Sequence, residues 1–262
     1  VFEKSKGKKR LLQNRSEKWD KTEKLWTEYS KLTKRWTRAS NSQKKKIDKK
    51  ILGCLTSILA INPKDWKALR TKGVTLSFLG QGTDALKCFE QVLENKPNDL
   101  DSLGWKGRLL FQQEQDNEAL ACFKKIHRID PKNVDGLRFL GVIYRATRKY
   151  EKALECYEKI IKIDNNIWEA INQKGIILRL QHKYQDALQC FDQMLEMETQ
   201  VKCPNCGRKH NSGKLHAINS KGVTFGILGD NRKALEYFEQ ALKISPNNRK
   251  ALQNKASALD KL

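Results

Sequence analysis

Two cysteines and two histidines lie close together in one stretch of this chain of 262 residues, ETQVKCPNCGRKHNSGKLHAIN. Cys203 and Cys206 are separated by two residues and followed by glycine, which is the form of a zinc knuckle. His210 and His216 follow within ten residues of Cys206. Two thiolates and two imidazoles complete a tetrahedral structural site that leaves no position for water. We therefore expect Cys203, Cys206, His210 and His216 to hold one structural zinc ion; the alternatives are a metal-free polar loop and a redox pair.

The remaining five cysteines follow a fixed spacing instead of forming a cluster. They recur at one constant interval, at Cys54, Cys88, Cys122, Cys156 and Cys190. Such regularity predicts a small buried residue in a repeated packing position, and hence inert thiols. No histidine pairs with them in a repeated pattern, and the chain has no phosphate-binding glycine loop and no metalloprotease helix. The sequence predicts no catalytic residues and no enzyme.

A 34-residue period organises most of the chain, and Val134–Ile167 is one copy of it. Each half of this copy has apolar residues three or four positions apart, which predicts two short helices with one apolar stripe each. Neither helix can bury its stripe alone. The copies must therefore pack against their neighbours.

Small and aromatic residues recur at this period in columns. Glycine forms one column (Gly73, Gly107, Gly141, Gly175), alanine a second (Ala85, Ala119, Ala153, Ala187), an aromatic ring a third (Phe89, Phe123, Tyr157, Phe191) and proline a fourth (Pro63, Pro97, Pro131, Pro246). Gly222, Ala234 and Phe238 continue the first three columns, but they come later than the period requires, so a segment has been inserted before them. We expect the small residues to let the two helices of a pair approach closely, and the aromatic residues to fill the gap between successive pairs.

With this period and these columns, the chain resembles the tetratricopeptide-repeat (TPR) family from about residue 46 to its end. The resemblance implies an all-α fold, a right-handed superhelical solenoid of helix-turn-helix repeats. One departure from the family pattern is the residue before the glycine, usually leucine, which here is mostly lysine: Lys72, Lys106, Lys174 and Lys221.

The period sets the domain boundaries. Residues 1–43 form a basic, tryptophan-rich extension, and residues 44–262 the solenoid. The solenoid consists of a half repeat at 44–65, full repeats at 66–99, 100–133, 134–167, 168–201 and 215–248, an inserted Cys/His loop at 202–214, and a partial repeat at 249–262.

The extension holds much of the excess positive charge. Lys and Arg exceed Asp and Glu by 22 over the whole chain, and residues 1–60 alone contain 18 basic against 6 acidic residues. An aromatic stripe that includes Trp19, Trp26 and Trp36 either packs on the neighbouring helices or offers indoles to nucleic acid. The cations of such a nucleic-acid arm would be Lys8, Lys9, Arg10, Arg15, Lys34, Arg35 and Arg38.

In TPR proteins that the chain resembles, the first helices line a groove that binds extended peptides or helices. The face opposite the apolar stripe predicts a groove of arginines and aromatic rings: Arg70, Trp105, Arg108, Phe111, Arg138, Phe139, Arg145 and Arg179. This composition suits an acidic peptide, a terminal carboxylate or a single nucleic-acid strand. The alternative is that these arginines are solvated or paired along the stack.

We expect a non-catalytic scaffold that binds a protein partner, with nucleic-acid or ribonucleoprotein binding as the alternative. No apolar run approaches the roughly 20 residues that span a bilayer, so we expect no membrane partner. The first residues lack the apolar core of a secretory signal, and we expect a cytoplasmic, reducing location.

Overall fold

The chain folds as helices joined by short turns. The computed structural model describes the backbone at residues 2–197 and 212–262 and the side chains at 17–197 and 213–262. These residues form thirteen helices and no strand, which confirms the all-α fold class. Over the same ranges, no helix combines the length and the apolar composition that crossing a membrane would require. Two compact units, Val1–Ile129 and Asp130–Leu262, are described in turn.

Unit 1 (Val1–Ile129) contains three antiparallel helix pairs. The helices are α1 (Phe2–Thr37), α2 (Asn41–Ile61), α3 (Trp66–Phe78), α4 (Gly82–Asn95), α5 (Leu100–Gln112) and α6 (Asp116–Ile129). The aromatic stripe of α1 packs from Leu25 to Trp36 against Ile47, Ile51 and Leu55 of α2. Trp19 lies outside this contact, with 74% of its surface exposed.

Unit 2 (Asp130–Leu262) contains three further pairs and one single helix. They are α7 (Val134–Ala146), α8 (Tyr150–Ile163), α9 (Trp168–Leu180), α10 (Tyr184–Glu196), α11 (Ser212–Ile227), α12 (Asn231–Ile244) and α13 (Arg249–Leu259). Helix α11 begins at Ser212, three residues before the repeat boundary at 215, and is longer than the other first helices of unit 2.

A repeated side-chain cap starts four of the helices, α3, α5, α7 and α13. Asp65, Asp99, Asn133 and Asn248 each accept a hydrogen bond from the backbone N–H three residues later. Such caps satisfy one of the N–H groups that a helix start leaves without an intrahelical partner. Ile167 occupies the same position before α9 and has no side chain that could accept this bond. The cap column therefore defines the helix starts that the 34-residue period predicts.

The turn inside each pair from α3–α4 to α11–α12 contains one residue in the left-handed conformation. Its φ angle is +79° at Gly80, +61° at Glu114, +57° at Arg148, +62° at His182 and +85° at Gly229. Glycine adopts this conformation without cost, whereas a side chain makes it unfavourable. Three of the five turns are therefore locally strained.

The glycine column lies directly under the aromatic column of the same pair. A β-carbon on Gly73 would lie 2.8 Å from Cζ of Phe89, and one on Gly107 would lie 2.7 Å from Cε2 of Phe123. The aromatic side chains thus lie within a pair, whereas the sequence predicted them between pairs. Phe89 makes contacts within its pair and between pairs, because its ring also stacks on Trp105 of the following pair, with centroids 6.3 Å apart.

The cysteine column lies next to this contact. The Cβ atom of Cys88 would be 3.2 Å from a β-carbon on Gly73, and the same distance recurs for Cys190 at Gly175. Four of the five thiols are buried and Cys122 is half-buried. Burial raises the pKa of each thiol, and that of Cys156 reaches about 11. The prediction of a small residue in a repeated packing position is confirmed by this burial, and a raised pKa favours the protonated, less reactive thiol at neutral pH.

Four lysines of the column before the glycine, or before Ala256 in the last copy, each form an ion pair with the preceding repeat. Each partner is the acid that directly follows the aromatic column, and the four pairs are Lys106–Glu90 (2.8 Å), Lys174–Glu158 (2.9 Å), Lys221–Asp192 (2.5 Å) and Lys255–Glu239 (2.9 Å). We call these the inter-repeat ion pairs. A lysine can take the place of leucine here because its aliphatic stem packs while its ammonium group reaches a carboxylate.

Candidate partner-binding site

Arg70, in the predicted groove of unit 1, is neutralised by acids of the same unit. Its Nη1 lies 3.1 Å from Asp99 Oδ1 and 2.6 Å from Asp101 Oδ2. Its guanidinium group also lies over the ring of Trp66, 5.3 Å from the centroid. Arg70 therefore has its charge satisfied within the chain.

The aromatic residues of unit 1 form a continuous group. The rings of Trp36 and Phe78 are 6.4 Å apart, those of Phe78 and Trp105 are 5.7 Å apart, and the guanidinium group of Arg108 lies 5.1 Å from the Trp105 ring. Phe111 is half-buried at the end of α5. Phe78 has 62% of its surface exposed and was missed by the sequence prediction. Its place in the last turn of α3, on the face that carries Arg70, was the signal that could have identified it.

In unit 2, the first groove residues are also satisfied locally. Arg138 Nη2 lies 2.9 Å from Asp135 Oδ1, one turn earlier on α7, and both side chains are exposed. Phe139 beside it is half-buried. The acids at the helix starts therefore neutralise Arg70 and Arg138, as the alternative interpretation predicted for them.

Arg145 and Arg179 differ from Arg70 and Arg138 in that no described acid neutralises them. Both are half-buried, and neither forms an ion pair with any carboxylate in the part of the chain that the structure describes. Arg179 Nη1 donates a hydrogen bond to the backbone carbonyl of Ser220 (3.3 Å), and burial lowers the pKa of its guanidinium group. The Nε atom of Arg145 is buried and has no hydrogen-bond acceptor among the described residues. These two cations are partly desolvated without compensation by an anion.

A buried hydroxyl group interacts electrostatically with Arg145 and Arg138. Tyr157 is fully buried, and its Oη has no hydrogen-bond partner within the described ranges. Burial raises the pKa of Tyr157 to about 12, while the charges of Arg145 and Arg138 act in the opposite direction. The tyrosine is therefore a neutral group beside two guanidinium groups.

The fifth repeat carries amides and hydroxyls where earlier copies carry arginines. Ser220 Oγ donates to Asn172 Oδ1 (3.3 Å), and Asn254 Nδ2 donates to Asn219 Oδ1 (3.2 Å). These bonds join α9 to α11 and α11 to α13. The positive potential of unit 2 is thus confined to α7 and α9 on this face.

Family models for the tetratricopeptide repeat match residues 70–134, 134–167 and 215–248, together about half of the chain. The chain belongs to the tetratricopeptide-repeat family.

Solved TPR structures show the same fold as this TPR protein at low sequence identity. YrrB, described as a TPR protein with an unusual peptide-binding site, shares 23% identity over 77% of this chain and 97% of its own, with a TM-score of 0.57. The structure of pilF of Pseudomonas aeruginosa shares 15% identity over 92% of this chain and 99% of its own, with a TM-score of 0.65. MamA of Desulfovibrio magneticus RS-1 shares 21% identity over 68% of this chain and 96% of its own, with a TM-score of 0.61. No protein with a curated description matches the chain significantly.

Of the four zinc ligands predicted in this TPR protein, only His216 can be placed. Cys203, Cys206 and His210 lie outside the described residues. The His216 ring stacks on Trp168, with centroids 5.1 Å apart. Partial desolvation and the charge of Lys250 lower the pKa of His216. Over residues 17–197 and 213–262, no three His, Cys, Asp or Glu side chains form a group that could hold a metal ion.

The basic arm can also be placed only in part. The side chains of Lys8, Lys9, Arg10 and Arg15 lie outside the described residues. Lys34, Arg35 and Arg38 are exposed at the end of α1, where they line a cavity of about 710 Å³ together with Thr33, Thr37 and Gln43. The indoles of Trp26 and Trp36 face cations of the protein itself, Lys67 at 4.7 Å and Lys44 at 4.5 Å from the ring centroids.

Proposed function

We propose that this TPR protein is a non-catalytic scaffold that binds an acidic, extended segment of a partner protein through Arg145 and Arg179. The observation that carries the proposal is the state of Arg179, a half-buried guanidinium group that pairs with no described carboxylate. Removing a charge from water is unfavourable unless an opposite charge is brought close to it. A carboxylate of the partner would supply that charge.

The choice of a carboxylate follows from the chemistry of the guanidinium group. Arginine presents several N–H donors in a planar fork, and two oxygens of one carboxylate accept from it in parallel. YrrB, which has the same fold, is described as having a peptide-binding site.

The test is the affinity for a fluorescent twelve-residue peptide rich in glutamate, measured by anisotropy at physiological salt. We expect Arg145→Gln and Arg179→Gln each to weaken binding about tenfold, which corresponds to about 1.4 kcal/mol. Glutamine keeps much of the side-chain length and removes the charge. Helix content by circular dichroism reports whether each variant is folded.

Two controls come from the other arginines of the predicted groove. Arg70→Gln and Arg138→Gln remove charges that are already paired with Asp99, Asp101 and Asp135, so we expect these variants to bind within about a factor of two of the parent chain. A peptide in which glutamine replaces every glutamate should not bind. Equal binding of the two peptides, or equal losses for all four variants, contradicts the proposal.

A second candidate function, binding of nucleic acid, is favoured by the exposed cations Lys34, Arg35 and Arg38. We expect the triple change of these residues to glutamine to lower affinity for a random oligonucleotide and to reduce the slope of log K against log salt by about 2 to 3. Trp26 and Trp36 are not free platforms for bases, because they pack in the α1–α2 core. Absence of salt-dependent oligonucleotide binding by the full chain eliminates this candidate.

We also propose that Cys203, Cys206, His210 and His216 hold one structural zinc ion. The types and spacing of the four side chains support this, because two thiolates and two imidazoles complete a closed tetrahedral site. The metal would hold the inserted residues in place before α11. We expect about one zinc per chain in the purified protein and a loss of zinc in Cys203→Ser with Cys206→Ser. Less than about half a zinc per chain, or unchanged zinc in the double variant, contradicts the assignment.

A further inference from the structure

Lys72 is the member of the lysine column that forms no inter-repeat ion pair. In the other cases the acid lies 16 residues before the lysine, or 29 residues before it across the insertion. The corresponding position for Lys72 is 56, and it holds threonine. Thr56 Oγ1 donates to its own helix, to the carbonyl of Leu52 at 2.8 Å. Lys72 pairs with no described carboxylate.

Lys72 stands in the same column of the repeat as the paired lysines. Its charge lowers the pKa of the Cys88 thiol in the same repeat, as Lys106 does for Cys122 and Lys174 for Cys190. The difference is the missing acid.

Two open cavities meet at Lys72, and both lie within unit 1. One, of about 440 Å³, is bounded by Leu52 and Thr56 of α2, Leu76 of α3, and Cys88 of α4. The other, of about 380 Å³, extends from Lys72 past Leu59, Leu69 and Trp66. We call the two cavities together the α2–α4 groove. Its walls are mostly apolar, with a half-buried cation between them.

The other charges along the groove do not neutralise Lys72. Asp84 is paired with Lys87 at 3.4 Å, and both are exposed. Glu94 lines the second cavity together with Lys64 and Lys72, yet it forms no ion pair with either among the described residues. The groove therefore combines apolar walls with a net positive charge.

We propose that the α2–α4 groove binds a partner polypeptide that inserts one glutamate or aspartate side chain, flanked by apolar residues, onto Lys72. Four times in this chain the equivalent lysine holds a carboxylate of a neighbouring helix at 2.5–2.9 Å. The carboxylate of the partner takes the place of the acid that position 56 lacks, and its apolar neighbours contact Leu52, Leu59 and Leu76. This site uses other residues than the Arg145 and Arg179 site and does not depend on it.

The experiment observes the lysine side chains of the full chain directly. Lysine is labelled with ¹³C and ¹⁵N, and the Cε–Nζ signals are followed by NMR during titration with the capped peptide acetyl-Leu-Ala-Glu-Leu-amide. The control peptide has glutamine instead of glutamate. We expect the Lys72 signal to shift saturably with the glutamate peptide alone, and the signals of the paired Lys106 and Lys174 to stay in place.

Two variants at one position separate charge from shape. Thr56→Glu supplies the missing acid within the chain, so we expect it to move the Lys72 signal in the absence of peptide and to weaken peptide binding about tenfold. Thr56→Gln, which has nearly the same shape without the charge, should bind the peptide as the parent chain does. Both variants change an exposed side chain, and thermal unfolding verifies that they are folded.

Each other outcome overturns the proposal. If the glutamine peptide shifts Lys72 equally, the groove recognises apolar residues and not a carboxylate. If inorganic phosphate at the same concentration shifts Lys72 more than the peptide does, the site is a free-anion site. If Lys72 does not respond to the peptide, the groove is not a docking site for an acidic segment. Because the readout is the Lys72 signal, binding at Arg145 and Arg179 neither imitates nor hides the result.

Discussion

Gly175 and Phe191 are in such close contact that a β-carbon on Gly175 would lie 2.6 Å from Cε1 of the ring. Phe191 is fully buried, so the ring has no free space into which it could move. The same contact occurs in all five full copies. The glycine column is therefore a requirement for close helix packing and not a consequence of helix propensity, which disfavours glycine.

Gly175→Ala is expected to destabilise the protein. The added methyl group overpacks a buried contact, and such changes cost about 1–3 kcal/mol. Gly53→Ala is the matched control, because Gly53 also lies inside a helix but has nothing within 4 Å of the added atom. We expect that control to raise the free energy of unfolding by up to about 1 kcal/mol. Urea unfolding followed by circular dichroism measures both, and losses of similar size would contradict the explanation.

Tyr157→Phe is expected to stabilise the protein by about 1 kcal/mol, because it removes a buried hydroxyl that has no described partner. Phenylalanine occupies the same column at Phe89, Phe123 and Phe191, so the ring fits. The measurement is the free energy of unfolding at neutral pH. A loss of stability would mean that the hydroxyl has a partner that the static structure does not contain.

The same tyrosine predicts a pH dependence. The folded pKa is raised to about 12, whereas an unfolded tyrosine ionises near pH 10, so the unfolded state releases its proton first. The contribution of Tyr157 is therefore fully present below about pH 10 and falls by about 1.4 kcal/mol per pH unit up to about pH 12. We expect Tyr157→Phe to lose stability less steeply in this window. Parallel curves for the two proteins would exclude Tyr157 as a source of the alkaline loss.

Each inter-repeat ion pair is expected to contribute little to the stability of the fold. Glu158 is about half exposed and the pair is open to solvent, so we expect a coupling of about 0.5 kcal/mol between Glu158→Gln and Lys174→Met in a double-mutant cycle. Salt screens such a pair, and the coupling should fall at 1 M NaCl. A coupling that is independent of salt would show that the two side chains interact by packing instead of charge.

Glu114→Gly is expected to stabilise the protein by about 0.5–1 kcal/mol, because Glu114 has a φ angle of +61° in the turn between α5 and α6, a conformation in which only glycine is unstrained. Gly80, with a φ angle of +79°, provides the converse test. We expect Gly80→Ala to lower the free energy of unfolding by about 1 kcal/mol. Thermal unfolding compares the two variants. If Glu114→Gly and Gly80→Ala changed the stability in the same direction and by the same amount, the left-handed conformation would not explain the changes.

The period was sufficient to predict the fold, because side chains one period apart occupy equivalent positions in each helix pair. It was insufficient to predict which neighbours touch. Phe89 lies nearly midway in the sequence between Gly73 and Gly107, and the period alone does not distinguish the two contacts. The structure places the Phe89 ring on Gly73 of its own pair.

The candidate site shows the same limit. Residue type and helical position identified the arginines, but whether each is neutralised depends on acids elsewhere in the sequence. Asp99 at the end of the same repeat and Asp101 in the next repeat neutralise Arg70, whereas no described acid pairs with Arg179. The lysine column was visible as a departure from the family pattern. The acids that precede it at a fixed interval, such as Glu90 and Glu158, were the signal that could have explained it.

Because each inter-repeat ion pair joins a lysine of one copy to an acid of the copy before it, the length of the chain can change without loss of charge matching. Deletion of the segment 159–192, which is one period long, would bring Glu158 opposite Lys221 in place of Asp192. Duplication of the same segment would create one more pair of the same kind. Recombination between copies that carry such a pair could therefore lengthen or shorten this protein over evolutionary time while the new junction remains electrostatically compatible.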